Sequence, residues 1–210
     1  MAEQKGFFQE EGLKIELLEL PSLADVSRVF RQGRIDGMTS TMIEAVDMAS
    51  NADDQFDIIL LTGFSTGSDV IVVNKPISSI AGLKGKRVGV ELDLLSSFIL
   101  AQALEQQSLS TNDITMINVE QLEAEAKLLS KSIDTMVTYA PFSTNILKQD
   151  SVQAIFTTAE IPEKVIDLVI LRHGVLENTT EWQQKSGSVH LNMRKRMKMK
   201  LIVLWQKDKV

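Results

Sequence analysis

A chain of 210 residues that is 44% hydrophobic and 24% charged has the material for a globular core, in one domain or two small lobes. Cysteine is absent, which excludes disulfides, thiolate metal sites and cysteine nucleophiles, and no run of about 18 apolar residues reads as a membrane span. The net charge of −6 argues against nucleic acid as a partner but conceals a split: residues 185–210 hold eight Lys/Arg against the single acid Asp208, a balance of +7, and residues 1–184 are left with −13.

The opening MAEQKGFFQEEG has no basic region followed by an apolar stretch, so it does not read as a secretory signal. Gly6 to Glu11 reads as the end of a helix stopped at Gly12, and Leu13 to Leu20 alternates as a strand. Ser22 opens a helix running to about Gln32, with Val26, Val29 and Phe30 on one face and Gly33 as its stop. Arg34 to Met38 is a short strand, and Thr39-Ser40-Thr41 caps a helix over Met42 to Ser50 whose Ile43 and Val46 face inward. Phe56 to Leu61 is a continuous apolar strand of the kind buried on both faces, and Asp69 to Val73 is another.

Pro76 to Gly82 (PISSIAG) reads as a domain boundary, after which the pattern restarts. Strand 86–90 leads to helix 96–107, strand 114–119 to helix 121–130, and strand 133–138 to helix 142–149. Strands at 152–158 and 165–171 follow, with a second crossing at Glu160 to Lys164 and a further helix start at Asn178-Thr179-Thr180. Alternating β and α segments predict an α/β fold with largely parallel pairing. The division expected is a first lobe of residues 1–74 and 165–184, a second of residues 75–164, and an atypical basic tail over 185–210. That tail reads as a basic arm, a solvated terminal segment, or sequence foreign to the domain.

In such a fold ligands sit outside the carboxyl ends of the strands, so the turns after strands are where contacts belong. Four turns qualify. DGMTST offers Thr39, Ser40 and Thr41 beside a helix N-terminus, and GFSTGSD offers Ser65, Thr66, Ser68 and Asp69. Ser96 and Ser97 stand where a helix begins, where a hydroxyl accepts an unpaired N–H and the helix dipole suits an anion. Tyr139, after strand 133–138, offers a ring to stack on a solute.

The chemistry of an enzyme is thin. His173 and His190 lie in no metal-ligand pattern, no GxSxG, Walker A or GxGxxG occurs, and Asp36 and Asp134 each sit in an Ile-Asp pair near a strand that reads as a folding feature as readily as an acid–base pair. No catalytic residue, cofactor or metal is expected.

The strings KGFFQEEGLKIEL, FRQGRIDGM, GSDVIVV, ISSIAGLKGKRVGVE, SSFIL and IDTMVTYAPF, in that order, resemble the substrate-binding components of ABC importers, in the group that binds aliphatic sulfonates, taurine, nitrate or thiamine-pyrimidine precursors. The resemblance runs from about Glu3 to Gln184 and implies a two-lobed periplasmic-binding-protein-like fold with two crossover strands. It implies a small polar or anionic solute, held in the cleft between lobes by Thr39, Ser40, Thr41, Ser65, Ser68, Asp69, Ser96, Ser97 and Tyr139, and delivered to a membrane permease. Such proteins are periplasmic, or extracellular and membrane-associated. Family members carry a further strand before the GFF helix and continue past the return strand, so the first lobe is expected to be incomplete and to self-associate through its exposed edge. Alternatives on the same architecture are an enzyme of thiamine-pyrimidine synthesis, which in the family uses a cysteine-rich motif absent here, the effector domain of a regulator, and a fragment that binds nothing.

Overall fold

The computed structural model describes residue 6 and residues 14–20, 22–50, 55–91, 93–175 and 198–202. Among these, backbone contacts define two compact units, the first within Met1–Ser40, Ala45–Thr62 and Leu168–Trp205, the second within Thr41–Glu44 and Gly63–Asp167. Each carries a five-stranded sheet.

The first sheet is assembled from β1 (Lys14–Leu18), β2 (Gly37–Thr41), β3 (Phe56–Phe64), β9 (Ile166–Arg172) and β10 (Lys198–Ile202), in the order β1-β10-β2-β9-β3. Between β1 and β2 lies α1 (Leu23–Arg31), started by Ser22, whose hydroxyl oxygen accepts the Asp25 N–H at 3.1 Å. Val26 and Phe30 are its buried face, and Gly33 ends it in the left-handed region at φ +72°, a conformation glycine adopts without steric cost. Arg172, at the end of β9, lays its guanidinium 4.9 Å from the Phe30 ring centroid and donates to the Phe30 carbonyl, tying β9 to α1.

Three expectations for this unit are corrected. Thr39, Ser40 and Thr41 form the end of β2 rather than a cap, and α2 (Met42–Ala49) follows directly. On α2 the buried residues are Glu44, Ala45 and Met48, while Val46 is 63% exposed. The helix turns Ala45 and Met48 inward at i, i+3 spacing, and Val46 falls off that stripe. β3 is an edge strand, not one buried on both faces, and Ile58, Leu60 and Leu61 are exposed along it.

The basic tail also differs from expectation. Within it, β10 lies in the interior of the first sheet, parallel to β1 from Lys14↔Lys198 to Leu18↔Ile202 and parallel to β2 at Leu201↔Gly37 and Ile202↔Met38. The tail thus adds a strand to the first sheet by backbone pairing, which is indifferent to side-chain charge. Of the helix read at 6–11 only Gly6 is described, in a turn at φ +74°, and the helix read from 178 lies outside the described residues.

The second unit is a three-layer sandwich of α, β and α. Its strands β4 (Asp69–Asn74), β5 (Arg87–Val90), β6 (Thr115–Asn118), β7 (Thr135–Tyr139) and β8 (Val152–Thr157) lie in the order β6-β5-β7-β4-β8. β5 runs parallel to β6 and β7, whereas β4 is antiparallel to β7 and β8, a departure from the largely parallel reading. On one face α3 (Leu94–Glu105) packs Ile99, Leu100, Ala103 and Leu104 against Ile71, Val73, Val88, Val90 and Val137. On the other, Val70, Val72 and Met136 meet Ala124 and Leu128 of α4 (Gln121–Leu129) and Ile146 of α5 (Phe142–Ile146). Alternate residues of β4 serve the two faces, as a strand with two covered sides requires.

This pairing moves the crossings. β4 belongs to the second unit because both its neighbours do, so the chain passes between units after Thr62 and Asp167 rather than at 76–82 and 160–164. Just inside the second unit, the Ser65 N–H donates to the Val165 carbonyl at 2.9 Å, joining the two passing segments. Asp134 proves a folding residue: its carboxylate accepts the Arg87 backbone N–H at 2.9 Å and the Arg87 guanidinium at 2.9 and 3.1 Å. Those bonds hold its pKa below the usual carboxylate value.

Candidate functional site

The parallel strands β5, β6 and β7 end at one edge of the second sheet, and antiparallel β4 begins there, with Asp69 paired to Tyr139. That edge collects the polar side chains. Asp69 is buried and accepts the Ser65 hydroxyl at 2.6 Å. The Ser65 oxygen lies 2.8 Å from the Thr158 hydroxyl, and the Thr158 oxygen accepts the Gly67 N–H at 2.9 Å. The serine-rich turn before β4 is thus knitted to the residue after β8. Ser68 is half-buried beside Asp69, and Thr66 is exposed.

The start of α3 differs from the serine-capped reading. Asp93 is the N-cap, its carboxylate accepting the Ser96 N–H at 2.5 Å, so Ser96 and Ser97 lie inside the first turn. Ser96 is buried and Ser97 half-buried. Glu44 of α2 reaches the same turn. Its side chain is 6% exposed and neither carboxylate oxygen closes a hydrogen bond, although the N–H groups of Glu44, Thr41 and Leu95 approach it. Burial, then the nearby Asp93 charge, pushes Glu44 up to about 7.

Glu91 follows β5 directly. Burial first, then the Asp93 and Glu120 charges, raise it to about 7, with the Gln121 amide opposing. Gln121, 5% exposed at the start of α4, donates to Glu91 at 3.3 Å and to the Val137 carbonyl at 3.2 Å, and its carbonyl oxygen has no partner. Tyr139 is half-buried and packs edge-on to Phe142, centroids 5.7 Å apart. Its hydroxyl pKa is raised by burial and then by the carboxylates of Glu91, Asp93, Asp69 and Glu120.

Of the residues singled out in the sequence, the structure brings Ser65, Asp69 and Tyr139 to this edge, with Ser96 and Ser97 on the adjoining helix turn. Thr41 belongs to the same unit, while Thr39 and Ser40 belong to the first. Glu44, Glu91, Asp93, Gln121 and Thr158 were missed. Glu91 and Asp93 carried a signal, as acids placed directly after the predicted strand 86–90; Glu44 carried one in sharing a helical stripe with Met48. The described histidine, His173, lies in the first unit against Asp57 at 3.2 Å. Among the described residues no group of three or more His, Cys, Asp or Glu is arranged to hold a metal ion, and no helix is long and apolar enough to cross a membrane.

Residues 1–172 match the family model described as NMT1/THI5 like. The chain belongs to the NMT1/THI5-like family. Among solved structures, this NMT1/THI5-like chain is similar to the periplasmic aliphatic sulphonate binding protein SsuA of Escherichia coli, with a TM-score of 0.75 and 20% identity over 84% of this chain and 58% of that one. It is also similar to the alkanesulfonate-binding protein SsuA of Xanthomonas axonopodis pv. citri bound to MOPS, with a TM-score of 0.69 and 19% identity over 84% of this chain and 62% of that one. The fold is that of periplasmic binding proteins. A Haemophilus influenzae protein provisionally named for thiamine biosynthesis is 24% identical over 137 residues, 65% of this chain and 43% of that one. This NMT1/THI5-like chain therefore spans about half the length of the relatives it matches.

Proposed function

We propose that this chain is a non-catalytic solute-binding component of an ABC import system, periplasmic or extracellular and membrane-associated, acting with a membrane permease. The observation that carries the reading is the convergence of Asp69, Glu91, Asp93, Gln121 and Tyr139 at the carboxyl-end edge of the second sheet, the position where open α/β sheets hold ligands. Likeness to two sulfonate-binding proteins supports the transport role. Thr39, Ser40, Thr41, Ser65, Ser68, Asp69, Ser96, Ser97 and Tyr139 are kept as proposed contacts, joined by Glu44, Glu91 and Gln121.

A second reading, an enzyme of thiamine-pyrimidine synthesis, is favoured by the name of the Haemophilus influenzae relative. Self-association through the exposed edge of β3 accompanies either reading. The test is a thermal-shift screen of sulfonates, nitrate, bicarbonate, pyrimidines and small organic amines, followed by NMR of any hit. A hit that raises Tm by several degrees and stays chemically unchanged over hours supports binding. Conversion of the hit points to the enzyme, and a blank screen overturns solute binding.

A further inference from the structure

A helix N-terminus and a set of hydroxyls suggest an anion when read from sequence, but the first turn of α3 is already served by carboxylates. Asp93 takes the Ser96 N–H, and Glu44 lies near enough for the Asp93 charge to act on it. An incoming sulfonate or nitrate would meet two negative charges where it needs donors, and like charges brought together in a partly dry site repel strongly.

The open valences here are acceptors. Both oxygens of Glu44 and the carbonyl oxygen of Gln121 are more than nine-tenths buried and lack a hydrogen bond. Buried polar atoms are seldom left so, and a donor brought from outside would satisfy these acceptors. The charges acting on Tyr139 from Glu91, Asp93, Asp69 and Glu120 are all negative. Three cations of this unit are engaged in ion pairs, Arg87 with Asp134 at the start of β5, Lys127 with Glu123 on α4, and Lys84 with Asp113. Among the described residues the carboxylates are not grouped as a metal coordination set.

We infer that this edge recognises an organic cation, a solute whose head group is an ammonium or amidinium, with Glu44 and Glu91 as its counter-charges and the Tyr139 ring beside it. Tyr139, half-buried against Phe142, offers the aromatic partner that such cations favour. The inference rests on the solute-binding reading and narrows it to one charge class.

The test uses the whole chain and size-matched probes: ethylammonium against ethanesulfonate, benzamidinium against benzenesulfonate, and taurine, which carries both charges. Tyr139 is the only tyrosine, so 3-fluorotyrosine labelling gives a single 19F reporter at the site. The expected result is saturable movement of that resonance with benzamidinium or ethylammonium and none with the two sulfonates. E91Q and E44Q should each weaken the cation by at least about tenfold, with E91Q as the reference variant should E44Q fold poorly. Sulfonates that bind while the cations do not would overturn the charge assignment and leave solute binding standing. Silence from every probe, together with a blank thermal screen, would overturn both.

Discussion

Ser65 and Thr158, separated by 93 positions in the chain, lie 2.8 Å apart through their hydroxyl oxygens. Because the Ser65 O–H is committed to Asp69 at 2.6 Å, Thr158 is the donor of that contact, and its own oxygen receives the Gly67 N–H. The chain of donors ends on a buried carboxylate. Ser65→Ala removes the middle link, leaving Asp69 short of one donor, and is expected to cost about 1–3 kcal/mol. Urea unfolding measures it; a midpoint equal to wild type would mean that the linkage is ornamental.

Glu44 and Glu91 make stability depend on pH in an unusual direction. Both are raised to about 7 from an ordinary 4.5, so between those values the folded state holds protons that the unfolded state has released. Their contribution is intact below 4.5, is lost as pH rises to 7, and is level above that. Glu44, the more buried, accounts for at most about 3 kcal/mol. Asp134, Asp113 and Asp25, with lowered pKa values, act in the opposite sense and only as pH falls below 3.8, outside this window. Glu44→Gln is expected to raise the urea midpoint at pH 8 and to flatten the profile between pH 5 and 8. A wild-type midpoint that climbs from pH 5 to pH 8 would contradict the assignment.

The same two acids link stability to ligand. A cation stabilises the ionised carboxylates, so its binding near pH 7 should release protons and tighten as pH rises. The titratable groups acting on Glu44 and Glu91 are the carboxylates of Asp93 and Glu120; the neutral hydroxyl of Tyr139 lies near Glu91, with Asp69 paired to Tyr139 across the strands. Calorimetry of benzamidinium in phosphate and in cacodylate, anionic buffers of different ionisation enthalpy, should give different apparent heats. Equal heats would exclude the coupling.

Gly89, in the middle of β5, has no room for a methyl group. A Cβ there would sit 2.8 Å from Ile133 Cδ1, 2.8 Å from Met136 Sδ and 3.3 Å from the Thr135 carbonyl oxygen. Gly89→Ala should destabilise by about 1–3 kcal/mol through forced repacking. A Tm within a degree of wild type would show that both side chains swing aside freely.

Ile58 and Leu61, 46% and 55% exposed on edge strand β3, offer the surface for the proposed self-association. Placing a charge on that edge, as in Ile58→Lys, should shift sedimentation toward monomer without lowering the Tm, because edge lysines oppose strand-to-strand pairing. An unchanged sedimentation profile would place any association elsewhere.

Most of the fold was legible because apolar periodicity and local caps fix element type. Ser22, Gly33 and the strand at 69–73 are where periodicity and turn chemistry place them. Pairing direction was not legible: DVIVVN is equally apolar in a parallel or an antiparallel setting, and only its neighbours β7 and β8 decide. The site was half legible for a similar reason. Hydroxyls in turns advertise themselves, so Ser65, Asp69 and Tyr139 stood out. Glu44 did not, since an acid in a helix normally faces water, and its burial is set by which side of α2 Ala45 and Met48 occupy. Sequence also read α3 as a receptor for anions, because the capping role of Asp93 turns on a loop conformation that composition does not specify.

The placement of β10 bears on how the molecule is made. Among the described residues β1 has β10 as its sheet neighbour, so Lys14–Leu18 pair with Lys198–Ile202. On a ribosome β1 waits for β10 to emerge, while the second unit has every strand of its sheet in hand once Thr157 is made. The first sheet is therefore the late-closing half, exposed longest to the chaperones and proteases that survey unfinished chains.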